Sequence, residues 1–129
     1  MRLLLLLITI LTLFGAPKLY AAETVFFESL YDVPVMPGLT EITEQGLSFD
    51  KVEGRIAHAM ALSDTAGESA ILAFYASVLP QMGWKEVKPA LFIREAEKLE
   101  ISFEAPEDKI GEETQSIALI RFSLGPVPE

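Results

Sequence analysis

A chain of 129 residues with a net charge of −9 and no cysteine repels nucleic-acid phosphates and has no means of forming a disulfide, a thiolate metal site or a lipidated cysteine. Half of its residues are hydrophobic, but the leading stretch inflates that share, and the remainder reads as an ordinary single domain with one core.

Residues 1–21 have the pattern of a signal peptide. Arg2 is a short positive region, Leu3 to Phe14 is an apolar run too short to span a bilayer comfortably, and Gly15 and Pro17 break its helix. Ala21 or Ala22 supplies a small residue at the cleavage point, with Leu19 or Tyr20 then third from the cut. Removing 21 of the 129 residues leaves 108. It also takes the charge from −9 to −11, because Arg2 and Lys18 are lost and no acidic residue goes with them. A net charge of that sign repels anionic headgroups, so this reading brings the chain to a membrane only if the leader is uncleaved and residues 3–14 serve as an anchor.

Residues 22–45 read as an extended, irregular segment. Val25, Phe26, Phe27 and Leu30 are apolar enough to dock on a surface, while Pro34, Pro37 and Gly38 forbid a regular helix or a central strand. The segment therefore lies either on its own domain or on a partner. For a partner, Tyr31, Asp32, Val33, Pro34, Met36 and Pro37 are the candidate contact residues, because a proline-stiffened strand loses little entropy on docking.

Residues 46–125 form the expected domain, and 126–129 a proline-rich tail. Leu47 to Phe49 and Arg55 to Ser63 read as strands around a turn at Asp50 to Gly54. The second places Ile56, His58, Met60 and Leu62 on one face and three small alanines, Ala57, Ala59 and Ala61, on the other. The stretch from Ser63 to Trp84 holds the one long helix. Thr65 as N-cap with Glu68 three residues on has the spacing of a capping box. Ile71, Leu72, Phe74, Tyr75, Val78, Leu79 and Met82 fall on one arc for burial against a sheet. The opposite arc is Ser69, Ala70, Ala73, Ala76 and Ser77; no charged residue occurs from Ser69 to Trp84, which suggests that this back is covered too, although alanine and serine also suit a plain solvent face. Pro80 ends or kinks the helix, Gln81 and Met82 make a last turn, and Gly83 is its left-handed stop.

After the helix, Trp84 to Val87 is a short strand, and Leu91 to Glu95 pairs with Lys98 to Ala105 through a turn at Ala96 and Glu97. In the second of these, Leu99, Ile101, Phe103 and Ala105 face inward and Glu100, Ser102 and Glu104 outward. Pro106 to Gln115 is a charged loop. Ser116 to Leu124 is apolar on both faces apart from Arg121, the pattern of a central strand.

Phe74, Tyr75, Leu79, Pro80, Gly83 and Trp84 together resemble the FYxxxLPxxGW motif of small exported bacterial domains without established function. Asp32 to Leu39 (DVPVMPGL) and Gly54-Arg55-Ile56 are similar to what accompanies that motif. The resemblance covers about the middle third of the chain. It implies a helix on an antiparallel sheet and an exported location, and it implies no reaction.

Little else in the chain has the spacing of catalytic chemistry. His58 with Met60 two residues on makes an imidazole and thioether pair of the kind that holds Cu(I), with Met36 and Met82 elsewhere; the same two residues read as ordinary core or edge positions. Gly67-Glu68-Ser69 lacks the second glycine of a nucleophile elbow, and no phosphate-cradling glycine loop or dinucleotide fingerprint is present. The acidic residues lack a calcium-loop spacing, and no carboxylate pair stands out. Phe74, Tyr75 and Trp84 could line a ligand pocket between helix and sheet.

The expected architecture is α+β: one helix packed on an antiparallel sheet of about four to five strands, in the order β(β)-α-β-β-β, after a signal peptide. The expected function is a periplasmic or secreted, non-enzymatic binding or accessory module of the bacterial cell envelope, without cofactor, acting through contact with an envelope protein. The alternative is a small-ligand or copper carrier using the helix-to-sheet cleft or His58 and Met60, and an enzyme comes third.

Overall fold

The computed structural model describes residues 22–104 and 118–128. The expected signal peptide at 1–21, the expected loop at 106–115, and Ala105, Ser116 and Ile117 of the expected strands lie outside the described residues. Among the described residues, one α-helix and an antiparallel sheet of seven strands make up the fold, which confirms the α+β class and corrects the strand count of four to five. The strands are β1 (Leu39–Glu41), β2 (Leu47–Lys51), β3 (Gly54–Ser63), β4 (Lys85–Lys88), β5 (Leu91–Arg94), β6 (Glu97–Glu104) and β7 (Ala118–Pro126); the helix, α1, is Glu68–Val78. Their order across the sheet is β1, β3, β7, β6, β5, β4, and β2 also pairs with β3.

The discrepancy in count before the helix has a local cause. β1 and β2 run along the same edge of β3, at Ala61–Ser63 and Gly54–His58, separated by a single turn of 3-10 helix at Thr43–Gln45. Three residues after Pro37-Gly38 are too few to display an alternation, so β1 carries no period-2 signal. Four strands follow the helix, as the reading of the individual stretches has it, and not the three of the order β(β)-α-β-β-β; the Lys85–Lys88 piece is an edge strand, exposed along its length and bulged between Glu86 and Lys88. The hairpin between β5 and β6 turns at Glu95 and Ala96, one residue earlier than expected, with Glu95 taking the positive φ of 53° that the tight turn requires.

Alternation along the paired strands sorts the sheet into two faces. On the inner face Ala57, Ala59 and Ala61 of β3, Ile120, Phe122 and Leu124 of β7, Leu99 and Ile101 of β6 and Phe92 of β5 are buried. Strand β7 is central, as its two apolar faces predict. The helix lays Ile71, Tyr75 and, at its C-cap, Leu79 onto this face. It starts later than the capping box implies. Gly67 is the N-cap and contributes no side chain, which leaves Thr65 before the helix and Glu68 as its first residue. Ser63 performs the local closure instead: its hydroxyl accepts from Ala66 N and donates to Ala66 O, tying the end of β3 to the approach of the helix. At the other end the expected stop is found, a 3-10 turn at Leu79–Met82 followed by Gly83 at φ 88°, whose N–H bonds back to the turn.

One helix, about 10 Å across, covers less than half of six strand positions spaced about 4.8 Å apart. The remainder of the inner face is covered by the N-terminal segment. Residues 25–35 close into a small loop of their own, with Phe27 N donating to Val33 O and Val35 N to Val25 O, and they insert Phe27, Leu30 and Val33 into the core at 1 % exposure or less. Phe122 stands at the seam, its ring 4.7 Å from that of Phe27 and 5.0 Å from that of Tyr75. The small alanines of β3 leave room for this layer. At about 1.5–3 kcal/mol for each fully buried apolar side chain, the segment contributes a substantial part of the stabilisation. The back of the helix, by contrast, is not covered by it: Ser69, Ala70, Ala73 and Ser77 are exposed.

The two halves of this layer are joined by one buried hydroxyl. Tyr75 Oη donates to Pro34 O at 2.9 Å and accepts from Met36 N at 3.2 Å. Burial pushes the phenol well above its ordinary value, so the donor proton is retained throughout the physiological range. Tyr75→Phe leaves both backbone partners unsatisfied against apolar surroundings and is expected to lower unfolding free energy by about 1–3 kcal/mol, read as a lower urea midpoint with unchanged m-value.

Candidate functional site

Two constellations stand out, and both depend on residues 31–37. The first is a cluster of four charges on the inner side of the sheet. Arg55, at the start of β3, directs Nη1 and Nη2 at Asp32 (3.2 and 3.1 Å) and Nε at Glu97 (3.2 Å). Arg94, the last residue of β5, sits opposite Glu97 across the hairpin and donates from Nη2 both to Glu97 (3.1 Å) and to Asp32. Two carboxylates thus alternate with two guanidiniums. Each guanidinium also lies on an aromatic face, Arg55 4.9 Å from the Tyr31 ring centroid and Arg94 4.2 Å from that of Trp84. Burial raises the Asp32 carboxyl, but hydrogen bonds and charge from Arg55 and Arg94 outweigh it and hold the group below its ordinary value. Every charge in the cluster is answered, and together the four clasp the N-terminal segment to the sheet.

The second is a cleft between the N-terminal segment and the helix, with a volume of about 490 Å³. Val25, Pro34, Val35, Met36, Pro37 and Leu39 form one wall and Phe74 and Val78 the other, with Ala22, Glu23 and Thr24 at the mouth. Phe74 meets the ring of Tyr75 edge-on at 5.0 Å, so the hydroxyl that fixes Pro34 and Met36 also fixes the cleft wall. Val25 and Phe26 beside it are 62 % and 40 % exposed. A smaller cleft of about 230 Å³ lies between Glu28, Ser29, Glu41 and the start of β2, where burial and the Glu28 charge raise the Glu41 carboxyl against the lowering effect of the Glu28 N–H.

The six residues expected to contact a partner divide among these places. Val33 and Pro34 are buried, Val33 in the core and Pro34 in the wall of the cleft. Asp32 is engaged in the cluster, and Tyr31, 68 % exposed, is its outer cover. Met36 and Pro37 line the cleft. Of Phe74, Tyr75 and Trp84, which the sequence offers as lining for a pocket between helix and sheet, Phe74 lines this cleft, with Val78 beside it, and the opposite wall is the N-terminal segment rather than the sheet.

His58 and Met60 project from the outer face of β3, whereas Met36 and Met82 pack against the core on the opposite side of the sheet. The thioethers therefore do not gather around the imidazole. His58 has a buried Nδ1 without a hydrogen-bond partner, and Met60 is 6 % exposed. Across the strands the order on this face is His58, Ser123, Glu100, with the serine in the middle, so the carboxylate is not placed to orient the imidazole as a nucleophilic triad requires. Among the described residues, no group of three or more His, Asp or Glu could hold a metal ion. Comparison of the chain with protein-family models, curated proteins and solved structures found no match.

The clasp has a defined pH dependence. Asp32 has a folded pKa below its ordinary 3.8, so its contribution is fully present above that value and is lost as pH falls below it toward the folded value. Asp32→Asn is expected to cost about 1.5–3 kcal/mol near neutral pH and to flatten the fall in stability below pH 3.8, measured as urea midpoints across that range.

Proposed function

We propose that the protein is an exported, non-enzymatic binding module of the cell envelope that receives an apolar, extended segment of a partner protein in the cleft between its N-terminal segment and α1. The observation that carries this reading is the cleft itself. Its walls are apolar, and its volume of about 490 Å³ is within the range of functional pockets. Pro34 and Pro37 stiffen one wall and the Tyr75 hydrogen bonds anchor it, so little order remains to be acquired on binding. The helix contributes no charge to repel an apolar segment, since none occurs from Ser69 to Trp84.

Export is proposed on the residues 1–21 and on the resemblance carried by Phe74, Tyr75, Leu79, Pro80, Gly83 and Trp84. Among the described residues no helix is long and apolar enough to cross a membrane. A second reading takes the same cleft as the seat of a small apolar ligand, which its volume also accommodates. His58 and Met60, on the other face of the sheet, would have to act separately from it.

A photo-crosslinking residue in place of Val78, expressed in the native cell, tests the proposal. The expected result is a covalent adduct with one protein that is abolished by Met36→Asp while the thermal midpoint stays within a few degrees. An adduct indifferent to Met36→Asp sinks the contact assignment, and native mass spectrometry showing a retained small molecule in place of a protein adduct supports the carrier.

A further inference from the structure

The outer face of the sheet differs in charge from the rest of the molecule. Strand register places Lys51 of β2, Arg121 of β7, Lys98 of β6, and Lys85 and Lys88 of β4 on this face. Among the described residues, the strands place two carboxylates there, Glu100 and Glu104, with Glu104 paired to Arg121, and Glu53 adjoins the face at the turn between β2 and β3. Five cations against two anions make the face net +3. All other described residues together hold twelve carboxylates and the two guanidiniums Arg55 and Arg94, a net −10. Among the described residues, an overall acidity therefore conceals one basic side.

That side is also apolar. Leu47 and Phe49 are 49 % and 40 % exposed on β2, Val52 is wholly exposed at the adjoining turn, and Lys51 Nζ lies 5.5 Å from the Phe49 ring centroid. Ile56 and Leu62 of β3 and Leu119 of β7 are half-buried on the same face. The face is about 24 Å wide over six strand positions and about 33 Å long along the ten residues of β3.

We propose that this face docks on an anionic lipid bilayer. Interfacial binding needs buried apolar area together with cations that meet acidic headgroups, and the face supplies both. Lysine stems extend along apolar surface while their ammonium groups reach the phosphates. The surrounding negative charge repels the bilayer, so the docking is peripheral, reversible and orienting: only one side of the molecule is attracted. A second copy fits less well, since a two-fold pairing of these faces would set +3 against +3. The site is independent of the proposed protein cleft, which lies on the helix side of the sheet.

Flotation of the full chain with phosphatidylglycerol-containing vesicles and with phosphatidylcholine vesicles tests this directly. The expected result is binding to the anionic vesicles, weak binding to the neutral ones, release at high ionic strength, and about a hundredfold loss of affinity in Lys51→Glu/Lys85→Glu/Lys98→Glu. Met36→Asp should leave the binding unchanged. Equal binding to both vesicle types, which an apolar leader alone would give, overturns the assignment. So does a folded triple variant that binds as well as the parent. The lipid and salt comparisons use the unaltered chain and decide the matter even if the variant fails to fold. Lysine-dependent self-association without vesicles, or capture of polyglutamate with no binding to anionic vesicles, would reassign the face to a second copy or to an acidic protein.

Discussion

A single helix cannot cover a sheet six strands wide, and much of this structure follows from that mismatch. Its inner face presents buried side chains from β3 across to β5, while α1 reaches only part of that width. A second layer is needed, and the chain supplies it from a segment that forms no regular element of its own. Phe27, Leu30 and Val33 substitute for a second helix, Phe122 touches both halves, and Tyr75 joins them with a hydroxyl that has both its donor and its acceptor function satisfied.

The cleft is a product of this patchwork. Where a helix and a looped segment of different curvature lie side by side, their side chains do not interdigitate along the whole seam, and the gap left between Met36 and Val78 is apolar because both walls are facing parts of a core layer. The clasp around Asp32 holds the far end of the same segment. The segment is therefore more of a structural member than a free arm.

What could be read from the sequence was local. Pro80 and Gly83 announce the end of the helix because their backbone constraints act on immediate neighbours, and Leu99, Ile101 and Phe103 announce a half-buried strand because alternation needs no partner to be visible. Thr65 misled for the same reason, since the capping-box spacing is local and Ser63, which performs the closure, has no comparable signature. The clasp was illegible: Asp32 is 23 residues from Arg55 and 62 from Arg94, and no spacing rule links them. One clue lay within reach, as Arg94 and Glu97 flank a two-residue turn and must face each other across it. The charge of the outer face also escaped composition, because a net charge of −9 says nothing about how period-2 alternation deals its lysines to one side.

The central position of β7 governs the order of assembly. It is the last of the described strands to be synthesised, yet it joins β3 to β6, and without it the sheet is two unconnected fragments. Phe27 and Phe122, which meet at the seam, are separated by most of the chain. Such long-range closure makes for high contact order and slow folding, since the two fragments cannot join before β7 is available. A sheet joined in this way closes only when β7 takes its place between β3 and β6, so a single strand decides when two fragments become one body.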